Sequence, residues 1–138
     1  MIYLQGGNST IEEGSGGSEV ITIQKLVPYV NIESDNTNKL VPVSLMNELQ
    51  YPLDSSIVLV GQSGNTEALR IISNISLSDN NNRLTLNVIP LQYYDGTRLR
   101  NFVQEGNTTS LKGTYQTIGV YIEDKDTVPV NGKKRPHD

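Results

Sequence analysis

Alanine occurs once in this 138-residue chain, at Ala68, beside fourteen asparagines and twelve glycines. Alanine is the strongest helix former, whereas asparagine and glycine rank low as helix formers and favour turns. A chain of this make-up is poorly suited to helices of any length. Valine, isoleucine, threonine and tyrosine supply about 30 % of the residues, the set that packs well on a pleated, half-buried surface. The fold class that follows is all-β.

The order of the residues supports this. Val20–Val30 and Lys39–Leu45 flank a polar loop over Glu33–Asn38, and each contains Lys-Leu-Val-Pro. Proline cannot donate to a ladder, so both strands are expected to lie at an edge or to bend there. Ser44 before Leu-Met-Asn-Glu-Leu-Gln can cap one helical turn ending near Pro52. Ile57–Val60 reads as a strand buried on both faces, with a turn at Gly61–Gly64. Leu69, Ile71, Ser73, Ile75 and Leu77 alternate with Arg70, Ile72, Asn74 and Ser76, and Ser78–Asn82 reverses the chain. Leu84, Leu86 and Val88 form the next apolar face, and Ile118, Val120 and Ile122 share a side of a last strand, Thr114–Glu123. Asp95-Gly96, inside Tyr94–Thr97, reads as a type I′ hairpin turn, in which both central residues need positive φ. Roughly seven short strands at such spacing predict an antiparallel β-sandwich or barrel.

The ends differ from this body, which spans residues 20–130. Residues 1–19 read as a flexible arm: Ile2-Tyr3-Leu4 is strand-like, Gly6-Gly7-Asn8 breaks it, and Glu12–Glu19 is a Gly/Ser linker. Residues 131–138 form a basic tail with Lys133, Lys134 and Arg135. A strand-like patch on a glycine tether suits pairing with a neighbour's sheet edge, and the basic tail suits an acidic surface. Ile2, Tyr3, Leu4, Lys133, Lys134 and Arg135 are therefore candidate interface residues.

Chemistry-bearing patterns are scarce. With no cysteine, and His137 as the single histidine, one chain holds neither Ser-His-Asp nor Cys-His machinery, and no His/Cys zinc site. Gly61-Gln62-Ser63-Gly64 falls short of a nucleophile elbow because Asn65 stands where glycine is needed. No glycine-rich phosphate loop follows a strand. Asp79 and Asn81 begin a calcium-loop spacing that Arg83 breaks, while Glu123, Asp124 and Asp126 form an acidic cluster at a strand end. No catalytic, cofactor-binding or metal-binding residue is assigned, and the expectation is a non-enzyme. A formal charge of −4 argues against nucleic acid as partner. No apolar run approaches the ~20 residues of a membrane helix, and MIYLQGGNST lacks the features of a secretory signal. The N-x-[ST] triplets at Asn8, Asn74 and Asn107 are expected by chance in so Asn-, Ser- and Thr-rich a chain.

Tyr93, Tyr94 and Arg98 flank the Asp-Gly turn, and amphipathic aromatics beside arginine suit a contact patch. One reading of that patch is a carbohydrate- or ligand-binding module of a surface or extracellular protein. The whole pattern, a small cysteine-free β-body between sticky ends, resembles accessory structural proteins of tailed-bacteriophage virions, such as head-decoration proteins, fibre anchors and neck or tail adaptors. That resemblance implies a virion protein assembled in the bacterial cytoplasm. It would dock on a capsid or tail lattice, locked by its terminal arms, with other virion proteins and copies of itself as partners and neither nucleic acid nor membrane.

Overall fold

The computed structural model of the chain describes residues 1–62, 64–102 and 109–124. These form ten strands: β1 Ile2–Gly6, β2 Ser9–Glu13, β3 Glu19–Ile23, β4 Tyr29–Ser34, β5 Thr37–Pro42, β6 Leu53–Gly61, β7 Gly64–Ser78, β8 Arg83–Pro90, β9 Gly113–Tyr115 and β10 Thr117–Glu123. Three short 3₁₀ helices complete them, at Ser15–Gly17, Val43–Glu48 and Arg100–Phe102. All strands belong to one antiparallel sheet in the order β5-β4-β1-β10-β6-β7-β8-β3-β2-β9. The all-β class is as the composition requires, with ten strands in place of about seven and one sheet instead of two stacked ones.

Chain connectivity rolls this open sheet up. β1 and β2 stand six places apart in the order, about 29 Å across a flat sheet, yet only Gly7 and Asn8 join them. Three Cα steps span at most about 11 Å, so the two flanks of the sheet must curl toward each other. β1–β2 and β9–β10 are in effect two long bent strands in one register. Ile2 faces Ile122 and Gly6 faces Ile118, and with the same offset Ser9 faces Tyr115 and Ile11 faces Gly113. Backbone bonds knit the bend: Gln24 N–H donates to the Asn8 carbonyl at 2.8 Å, and Gln116 N–H to the Val60 carbonyl at 2.9 Å. Gly6 is needed here, because a Cβ on it would overlap Ile23 Cγ2.

This corrects the reading of residues 1–19 as an arm. Ile2 and Leu4 are almost wholly buried, and β1 uses both its edges, pairing with β10 on one side and β4 on the other. The Gly/Ser stretch folds back as a tight turn, with Gly14 N–H bonded to the Ser18 carbonyl at 2.8 Å. The flexible-linker composition was genuine turn chemistry between two paired strands, β2 and β3.

Inside the roll, Ile2, Leu4, Ile21, Ile57, Leu86 and Val120 belong to one continuous apolar cluster, and Met46 of the second 3₁₀ helix joins it. That helix is the turn expected after Ser44, although Pro42 is its N-cap and no side chain caps it. The turn over Asp79–Asn81 holds three consecutive non-glycine residues at positive φ, 56°, 56° and 66°, which suits Asp and Asn. The stretch Val20–Val30 breaks into β3 and β4, with Lys25 at φ 50° in the bend. Pro42 ends β5, the edge strand, as its missing donor favours. The alternation in β7 changes phase at a bulge between Ile72 and Asn74. Ala68, Arg70 and Ile72 point inward before it, and Ile75 afterwards, so Leu69 and Ile71 lie on the opposite face from Ile75.

Candidate contact surface

The outer face of the sheet carries the features that suit contact. In one row across four strands, Leu40 of β5 faces Asn31 of β4, Asn31 faces Tyr3 of β1, and Tyr3 faces Tyr121 of β10. The Tyr3 and Tyr121 rings pack at a centroid distance of 4.5 Å, and Phe102 packs on Tyr121 at 4.8 Å. One row along, Tyr29 faces Pro42. Leu40 is 68 % and Tyr29 53 % exposed, while β5 has an outer edge with no strand beside it among the described residues. Tyr3 is thus the one member of the expected Ile2-Tyr3-Leu4 interface that reaches the surface; its neighbours are core. Lys133, Lys134 and Arg135 lie outside the described residues.

The Asp95-Gly96 hairpin does not form. β8 ends at Pro90, and among the described residues the next strand is β9; residues 91–102 run as a strap along the outer face, with Tyr94 bonded to Glu123 and Phe102 packed on Tyr121. Neither Asp95 nor Gly96 has positive φ. The glycine serves a close approach: a Cβ on Gly96 would stand 2.6 Å from both Glu123 Oε1 and the Tyr94 hydroxyl. This tip of the strap is built around a carboxylate. Glu123 Oε1 accepts the Tyr94 O–H at 2.6 Å, and Oε2 accepts the backbone N–H of Arg98 at 3.1 Å and of Thr97 at 3.3 Å. The Tyr94 oxygen in turn accepts the Leu99 N–H at 2.8 Å. Burial, then the bond to Glu123, pushes the Tyr94 pKa up to about 12.

The three expected contact residues are therefore divided. Tyr93 is 81 % exposed, Tyr94 is turned inward as a structural tie, and Arg98 reaches Asp35 of the β4–β5 turn at 4.0 Å. Both partners of that ion pair are exposed, so it adds little to stability. The acidic cluster is also divided. Glu123 faces the strap, Asp124 lies 3.4 Å from the Met1 amine, and Asp126 is outside the described residues.

A second polar cluster, unforeseen from sequence, holds Thr109 and Leu111 on the inner side of the sheet. Arg70 on the inner face of β7 is fully buried, with its Nε 2.8 Å from Glu19 Oε1. Its other nitrogens donate to the carbonyls of Leu69 at 3.0 Å and Thr109 at 2.8 Å. Glu19 Oε2 accepts the Leu111 N–H at 2.7 Å. Arg70 alternating with apolar residues was the available signal, but a charged residue on a strand ordinarily marks the solvent face.

Compared with protein-family models, with curated proteins and with solved structures, the chain matches none.

Proposed function

We propose that this chain is a non-enzymatic structural protein of a virus particle, docking on a capsid or tail lattice through the outer face and open edge of β5, β4 and β1. The observation that carries the reading is the β5 edge. Among the described residues no strand pairs with the outer side of its six residues, and Leu40 and Tyr29 stand exposed on the adjoining face beside Tyr3. Edges of this kind are normally blunted, and where left open they accept an extended segment of a partner. Here the partner is a strand of the lattice protein. A rolled sheet that carries such an edge suits a mechanical role.

Two measurements test this. Particles purified from the source by density gradient should contain the chain at a fixed copy number by quantitative mass spectrometry; its absence refutes the reading. Leu40→Lys alters an exposed position, so its cost in stability should stay within about 0.5 kcal/mol, while incorporation into particles falls at least several-fold. Undiminished incorporation would exclude the β5 face as the docking surface.

A further inference from the structure

In the strap over residues 91–102 several donors converge on one carboxylate. Glu123 projects from the last position of β10 on the outer face and gathers one hydroxyl and two backbone donors from the strap. Beneath the strap lies an apolar layer separate from the main core. Leu69 and Leu99 are both buried, yet neither belongs to the inner cluster. The short helix Arg100–Phe102 packs on β7, and Phe102 on Tyr121. In the row Tyr121, Ser56, Leu69, which crosses β10, β6 and β7, Ser56 is fully buried.

We propose that Glu123 is an acid-released latch: its ionised carboxylate keeps the strap closed over the outer face, and protonation lets the strap lift while the sheet stays folded. An ionised carboxylate is an acceptor at both oxygens, whereas a protonated one must place its own O–H and loses acceptor capacity. The N–H groups of Thr97 and Arg98 then lack their partner, and Tyr94 loses the charged end of its short bond. Asp54 of β6 is the cross-strand neighbour of Glu123, and Asp124 follows it on β10 against the Met1 amine. From the strap, Tyr94 bonds Glu123 directly, and Arg98 directs its guanidinium toward Asp35 of the β4–β5 turn. The closed strap is thus present where Glu123 is ionised and lost as pH falls through its titration. This device stands independently of the docking role proposed above.

Amide exchange measured by NMR on the full chain tests it, with rates corrected for intrinsic pH dependence. From pH 7 to pH 4, protection at Thr97, Arg98 and Leu99 should fall about tenfold or more, as expected for lost charge-assisted bonds. Protection at Val120 and Tyr121 of β10 should stay within about twofold. Glu123→Gln at pH 7 should reproduce the loss and abolish its pH dependence. Tyr94→Phe keeps the carboxylate and its two backbone donors, so it should retain the pH dependence at lower protection even where Glu123→Gln does not fold. Unchanged strap protection at pH 4, simultaneous loss of protection in strap and β10, or loss of the pH dependence in Tyr94→Phe would each overturn the latch.

Discussion

The buried pair Arg70–Glu19 gives the sharpest quantitative test of how this sheet is held. Arg70→Met leaves the Glu19 carboxylate buried with the Leu111 N–H as its remaining donor among the bonds described above. Glu19→Leu removes the carboxylate from a buried guanidinium that keeps the Leu69 and Thr109 carbonyls among its acceptors. Stranding one charge of a buried pair costs about 3–5 kcal/mol, whereas replacing both by apolar groups is often close to neutral. For a chain of this size that is a fall of roughly 10–20 °C in Tm for either single variant. The double variant is not expected to recover fully. The Leu69 carbonyl keeps the Leu91 N–H at 3.3 Å, and Thr109 is exposed enough for water to serve its carbonyl. Leu111 is buried, so its N–H loses its acceptor outright. One orphaned buried donor costs about 1–3 kcal/mol, and that is the deficit expected of the double variant. Urea unfolding of the wild type and the three variants at 25 °C closes the cycle. A coupling of at least about 3 kcal/mol follows from these figures. Additive single effects would refute the claim that the two charges stabilise each other in the interior.

Two further outcomes follow from the Glu123 cluster. Gly96→Ala drives a methyl group against the Glu123 carboxylate and the Tyr94 hydroxyl, so it should cost about 1–3 kcal/mol or free the strap; an unchanged Tm and unchanged exchange at Thr97 would contradict the close approach. In an alkaline titration followed by tyrosinate absorbance, one tyrosine should ionise near 12, and Tyr94→Phe should delete that step. Because the folded value is raised above the unfolded value of 10.0, the protonated phenol adds stability below pH ~10 that is lost as pH rises toward 12; a melt flat across that window would argue against the buried bond.

Several local features were legible because a short-range rule fixed them. The reversal at Asp79–Asn82 needs residues tolerant of positive φ, and Asp, Asn, Asn supplied them. Gly61–Gly64 closes the β6–β7 hairpin where glycines flank a two-residue turn. Leu84, Leu86 and Val88 face the core as their alternation required. Other features misled for equally physical reasons. Asp95-Gly96 has the composition of a type I′ turn, but a glycine is also demanded wherever a backbone passes close to a side chain, and the two demands look the same in sequence. The bulge at Ser73 reversed the inward face of β7 without a marker such as glycine. Residues 1–19 looked like an arm because their ladder partner, 113–122, lies more than a hundred residues away.

The sequence by itself determined the secondary-structure class and many of the turns, since scarce alanine, abundant β-branched residues and Asn/Gly punctuation act within a few residues of themselves. Only the tertiary structure decided which surfaces exist. Whether Tyr94 meets solvent or Glu123, whether Arg70 is inside or out, and whether Leu40 stands at an edge depend on strand order and on how the sheet rolls. Those are set by pairings across the whole chain, where burial and charge are summed over many distant residues and no local pattern records the result.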